Sequence, residues 1–331
     1  MLTTRQNLLE TIRGGNPDRF VNQYEYLAMT LDPIFAHSGG IAPEGGIAQN
    51  EWGIWIKFPQ GMPGPFPMDD PEHVVIKDIE HWQDYVHAPD PHKYSDEEWA
   101  PALEFYDQVD RDELFASTMF GTGVFERVHY LMGIDRAMLA FVTNPDEMHG
   151  LIDYISDWEV EVAKEQVARF HPDAVFHHDD WGSHNSTFMS PAMFDEFLLP
   201  AYKKIYGYFK DHGVEVIVHH SDSYAATLVP EMIECGVDIF QGAVDTNNIP
   251  ELLDKFGGQI SIHGGLNNGI YDIADWSRDS IDKGLRELID STHGGTYLIP
   301  GLTMGGPGST YPGVYEYVTE EIDNLSKEYF G

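Results

Sequence analysis

The sequence predicts an α/β fold, a (β/α)8 TIM barrel fronted by an irregular N-terminal cap region. Three observations carry this expectation. From about residue 113 onward, strand-like apolar runs alternate with helical patterns six times, with short Gly-marked turns between them, as a parallel sheet covered by helices requires. Those strands are continuous apolar runs, as expected of a sheet buried on both faces. No G-x-G-x-x-G follows an early strand, which favours a closed barrel over an open doubly wound sheet. The 331 residues suit a barrel with insertions, since such barrels run to about 250 residues and beyond. One domain is therefore expected over 1–331. Its helix and loop-rich cap occupies 1–112, and its regular β/α units occupy 113–331.

Taken in order, residues 4–14 read as a helix. The Gly/Pro-rich stretches "HSGGIAPEGG" and "FPQGMPGPFPMDDPEH" follow, with Trp52, Trp55, Phe58 and Phe66 as apolar anchors of a cap. Strand 114–121 leads to a helix from Val124, and 144–170 is a long amphipathic helix opened by Pro145, a residue suited to a first turn. Strand 173–178 precedes a helix over 191–213 with a break at Pro200. Strands 214–220, 237–242, 259–265 and 296–301 then alternate with helices 226–236, 249–257, 275–294 and 311–328.

Composition narrows the function. Asp and Glu number 55 against 19 Lys and Arg, a net charge of −36. Such a surface repels phosphate backbones and anionic lipid, so neither nucleic acid nor a membrane is expected as a partner. The single cysteine, Cys235, excludes an internal disulfide and suits a reducing compartment. No apolar run reaches the roughly 18–20 residues of a bilayer span, and a cytoplasmic location is expected.

The chemistry gathers at strand ends. "AVFHHDD" and "VIVHHSD" each carry an apolar strand into histidines and aspartates. Strand residues alternate faces, so Ala174, Phe176, His178 and Asp180 share one side, and Val216, Val218, His220 and Asp222 share another. "SIHGG" adds His263 at a third strand. In a parallel barrel these ends converge on the mouth where catalysis occurs. Imidazole with carboxylate serves acid–base chemistry or holds a divalent metal. His178, Asp180 and His220 are the candidate catalytic groups, and His220 with Asp222 the candidate metal pair. Each also has a plain structural reading, since Asp before a helix is commonly an N-cap. Glu126, beside Arg127, reads as a helix-start ion pair or a substrate contact. Trp181 reads as a packed rim residue or a platform for a planar ligand, and His263 as a further substrate contact.

These residues carry a resemblance. "RQNLLETIRGGNPDRF", "HHDDWGSHNSTFMSPAMFDEFLLPAYKKI", "HHSDSYAATLVPEMIECGVDIFQ" and "GGTYLIPGLTMGG" resemble, in this order and over essentially the whole length, blocks of the uroporphyrinogen decarboxylase superfamily. The resemblance implies a (β/α)8 barrel. Its departures redirect the function. Where the porphyrinogen enzymes carry an arginine-rich clamp, this chain reads "VNQYEYLAMTL", with no arginine to hold a polyacidic tetrapyrrole. The chain is more similar to the superfamily's corrinoid-dependent methyltransferases. Against the zinc pattern of their thiol-activating members, His220 takes the His position, while Asp222 and Leu302 stand where cysteines should be. A site of His and carboxylate is harder and more Lewis-acidic than one with thiolates. The resemblance thus implies an O-demethylase methyltransferase component of anaerobic one-carbon metabolism. It would move a methyl group from a small methoxylated, aromatic substrate to the Co(I) of a corrinoid protein, with zinc as the candidate resident metal. A homodimer is compatible with this reading. The alternative is a decarboxylase-like lyase acting on a non-porphyrin acid.

Overall fold

The computed structural model describes residues 1–62 and 64–331; Pro63, inside the Gly/Pro-rich stretch, lies outside the described residues. The chain opens with α1 (Thr4–Ile12), whose N-terminus is held by a reciprocal Thr3–Gln6 capping box. This helix stops the floor of the sheet. Leu8 is fully buried against the inward side chains Val21, Tyr26, Phe115 and Ala174, and Arg5 reaches Glu215 at 2.8 Å. A strand that the sequence reading passed over follows, β1 (Leu27–Thr30). At four residues, without a neighbouring helix pattern, it offers little signal.

The cap is more regular than expected. It holds α2 (Pro33–Ser38) and a small antiparallel sheet of β2 (Gly46–Gln49), β3 (Trp55–Phe58) and β4 (Phe66–Pro67), with α3 (Asp96–Tyr106) behind. Trp52 anchors it, whereas Phe66 is 41% exposed and anchors nothing.

The regular units then run β5 (Phe115–Phe120), α4 (Val124–Met132), α5 (Ile134–Thr143), α6 (Pro145–Phe170), β6 (Ala174–His178), α7 (Pro191–Phe197), α8 (Leu199–Asp211) and β7 (Val216–His220). They continue with α9 (Val229–Cys235), β8 (Ile239–Ala243), α10 (Ile249–Phe256), β9 (Ser261–Leu266), α11 (Asn268–Tyr271), α12 (Arg278–Ser291), β10 (Leu298–Leu302) and α13 (Val314–Phe330). The break expected at Pro200 falls at Leu198, between α7 and α8.

Seven parallel strands form one sheet in the order β1-β5-β6-β7-β8-β9-β10. The sheet curls strongly: Tyr26, at the entry to β1, reaches His263 of β9 at 3.2 Å. It does not close. Among the described residues there is no eighth strand between β10 and β1, so the expected (β/α)8 TIM barrel is found as a TIM-like half-barrel that does not fully close. The physical reason lies in the segment before β1. Asn22 and Gln23 spend their side-chain amides on Thr319 of α13. Gln23 Oε1 accepts only a long 3.4 Å bond from Leu302 N–H at the end of β10, so a helix contact occupies the place of a ladder.

The two faces of the sheet are both apolar, as the continuous runs require. Inward residues such as Phe176, Val218 and Ile239 pack on one another, while outward residues such as Val175, Ile217 and Phe240 pack against the helices. Leu8→Ala should therefore destabilise the protein by about 2–5 kcal/mol in urea unfolding followed by circular dichroism, because no neighbour is free to fill its space under the sheet.

Candidate active site

Strict alternation along parallel strands builds one layer across the sheet. The register pairs His178 of β6 with His220 of β7, His220 with Gln241 of β8, and Gln241 with His263 of β9. All four are at or near the C-terminal ends of their strands and face inward. The imidazoles of His178 and His220 stack at 4.5 Å with 29° between the planes.

Glu126 enters this layer from α4. Asp179, fully buried just past β6, accepts the backbone N–H groups of Phe125 at 3.0 Å and Glu126 at 2.8 Å, and Tyr202 donates its hydroxyl to the same carboxylate. A carboxylate at a helix N-terminus is favoured by the free N–H groups and the dipole there. Gly123 permits the close approach, since a Cβ at that position would lie 2.5 Å from Asp179 Cβ. So held, Glu126 places Oε2 2.8 Å from His178 Nδ1, and Tyr130, one turn along α4, donates to Oε1 at 3.1 Å.

Asp180 completes the cluster. Its Oδ1 accepts the Asp222 N–H at 2.7 Å and lies 3.9 Å from His220 Nε2. The charges divide unequally. Burial opposes the charge on His178, yet Glu126 outweighs it and pushes the imidazole up to about 10. Glu126 in turn falls below its ordinary value, because the His178 charge overcomes its burial. Burial and the Glu126 charge push Asp180 up to about 7. Burial, with the cationic His178 alongside, drives His220 down to about 3. The site thus favours an ion pair between His178 and Glu126, a carboxyl raised toward its neutral form at Asp180 and a neutral imidazole at His220.

Several expectations need correction. Trp181 is no platform for a ligand at the mouth: it is 1% exposed, its indole N–H donates to Tyr202 at 3.1 Å, and its ring stacks 3.9 Å from His219. His263 is in the layer but fully buried, against Tyr26 at 3.2 Å and the Tyr24 ring at 4.7 Å, which makes it a core residue. Glu126 does not pair with Arg127. The guanidinium turns away to Thr122 O at 2.8 Å and lies over the Trp52 and Trp158 rings. A second candidate metal group stands beside the expected pair. Among the described residues, the group of three that each offer a ligand atom within 4.8 Å of the others is Glu126, His178 and Asp180, a set that does not include the expected pair His220 and Asp222. His220 commits Nδ1 to Gln241, and Asp222 touches the cluster through its backbone, leaving Oδ1 buried without a partner. One nitrogen and two carboxylates suit zinc or a similar divalent cation and leave a coordination position open.

The sequence reading overlooked Gln241 and Asp179. A polar residue inside the apolar strand "VDIFQG" was a readable signal for Gln241. The outward histidines of each pair, His177 and His219, take no part in the cluster. Both bond Tyr206 Oη, at 2.7 and 2.8 Å, behind the sheet.

Residues 62–325 match the family description "Uroporphyrinogen decarboxylase (URO-D)". The chain is similar in structure to a methyltransferase from Methanosarcina mazei, with a TM-score of 0.69, 15% identity and 100% of both chains covered; this likeness shows the fold. No curated protein matches. Among the described residues no helix is long and apolar enough to cross a membrane.

The His178–Glu126 pair sets a sign for pH dependence. A histidine raised in the folded state stabilises fully below its unfolded value of 6.5 and loses that contribution as pH climbs to about 10. The His178 side chain is 36% exposed, so solvent screening keeps the effect modest. With chelator present, the urea midpoint of the wild type should fall across that window more than that of His178→Gln. Equal slopes would show that the pair is not charged.

Proposed function

The chain belongs to the uroporphyrinogen decarboxylase family, and from that membership we propose that it is a methyltransferase. In this reading it takes a methyl group from the oxygen of a small methoxylated, aromatic compound and delivers it to Co(I) of a corrinoid carried by a partner protein. The observation that carries the reading is the cluster of Glu126, His178, Asp180 and His220 at the strand ends. It is a proton-rich site without a cysteine, where the difficulty of the reaction is releasing an oxygen. The similarity to a chain named as a methyltransferase supports it. The net charge of −36 and the absence of an arginine clamp weigh against a polyacidic tetrapyrrole.

In the proposed step the acceptor attacks the methyl carbon, a cobalt–carbon bond forms, and the carbon–oxygen bond breaks with its electron pair going to oxygen. Asp180, pushed up to about 7 by burial and Glu126, carries a proton at neutral pH in the amount a general acid needs, and gives it to the departing oxygen. The products are a phenol and a methylated corrinoid. His178, kept cationic by Glu126, stabilises the charge developing on that oxygen. If Glu126, His178 and Asp180 instead hold zinc, the metal supplies Lewis-acid stabilisation of the same oxygen. Loading it would release the His178 proton, since ligands must be deprotonated.

Asp180→Asn should lower the rate of cobalt alkylation, followed by visible absorbance with a methoxyphenol and a Co(I) corrinoid protein, by about 10²–10⁴-fold. Unchanged alkylation in Asp180→Asn would remove the assignment. Turnover of a carboxylic acid substrate with release of CO2 and no corrinoid would favour the lyase alternative.

A further inference from the structure

We infer that Gln241 is a positioning residue that locks His220 as the Nδ1–H tautomer and so presents the bare Nε2 lone pair to the site. Gln241 is fully buried, and the alternation of β8 delivers it inward just before an irregularity. The register slips between Gln241 and Ala243 around Gly242, which sits at φ +96°, where a Cβ would lie 2.8 Å from Ser221 O and 3.0 Å from Asp222 N. Gln241 itself keeps the regular register, opposite His220 of β7, and the bulge follows it.

The amide can be oriented without ambiguity. Gln241 Nε2 lies 3.0 Å from the Thr303 backbone carbonyl, and a carbonyl oxygen only accepts. The NH2 group therefore faces Thr303, and Oε1 faces His220 Nδ1. An amide oxygen also only accepts, so the proton between them belongs to Nδ1. A neutral His220 is then bare at Nε2, the atom 3.9 Å from Asp180 Oδ1. His263 shows the contrast. Its Nδ1 meets the Tyr26 hydroxyl at 3.2 Å, a group that donates or accepts, and nothing there fixes the tautomer.

The tautomer follows from the hydrogen bonds alone. Its use, to accept a hydrogen bond from a substrate hydroxyl or from Asp180, rests on the methyltransferase reading. Outer partners that orient an imidazole in this way contribute about 10–100-fold to site function.

The test is nitrogen NMR of protein labelled with 15N-histidine, free of substrate, with the His220 signals identified by their loss in His220→Gln. The expected wild-type result is a protonated Nδ1 and an unprotonated Nε2. Gln241→Leu should shift His220 toward the Nε2–H form. Gln241→Glu, which keeps an acceptor at the same place, should keep Nδ1 protonated, with the added carboxylate favouring a second proton on Nε2. In the alkylation assay Gln241→Leu should lose about 10–100-fold in kcat. A wild-type His220 protonated at Nε2, or a tautomer unmoved in Gln241→Leu, overturns the inference whatever the reaction proves to be. If the tautomer is as stated but no methyl donor is consumed, the reaction reading fails and the role of Gln241 stands.

Discussion

The contact between Glu126 and His178, at 2.8 Å, is the constraint on which the site depends. The histidine is fixed by the β6 ladder and the glutamate by the first turn of α4, and neither element alone dictates where the other lies. Asp179 joins them, one residue beyond His178 in sequence and bonded to the backbone of Glu126 at 2.8 Å. Three consecutive residues, His178, Asp179 and Asp180, therefore supply the charged ring, the clamp on its counter-ion and the carboxyl beside it. Charge held this way by backbone donors and a helix terminus is preorganised, so little rearrangement is needed as charge develops in a reaction.

The two stacked imidazoles show how environment rather than residue type assigns roles. His178 faces a carboxylate and stays cationic. His220, 4.5 Å away, faces an amide, and a second positive charge there would be desolvated and repelled. The result is a donor next to an acceptor built from identical side chains. Pairs of titratable groups driven apart in this way mark sites that move protons.

Much of the fold and part of the site were legible in the sequence. The faces of β6 and β7 follow from alternation: Ala174, Phe176, Val216 and Val218 lie in the inner core as counted, which puts His178 and His220 in contact. Of the two readings of Trp181, the packed residue is the one found. Its side chain packs on the outer side with Tyr202 and His219. Closure of the sheet was not legible, because pairing between the first and last strands is the least local contact in the chain; Gln23 and Thr319, 296 positions apart, decide it. The partnership of Glu126 was equally non-local, 52 positions from His178, and the adjacent Arg127 was the misleading local candidate. Family membership fixes the class of fold but does not choose the substrate.

The central claim is that Asp180, His178 and His220 address one oxygen atom of one small molecule. The most direct measurement is a crystal structure of the protein with a phenol, the product of demethylation, bound. The account predicts the phenol oxygen within about 2.6–3.2 Å of the Asp180 carboxyl, with the His178 and His220 imidazoles beside it. A phenol seated elsewhere, or bound at the mouth with its oxygen turned away from these three side chains, would contradict it.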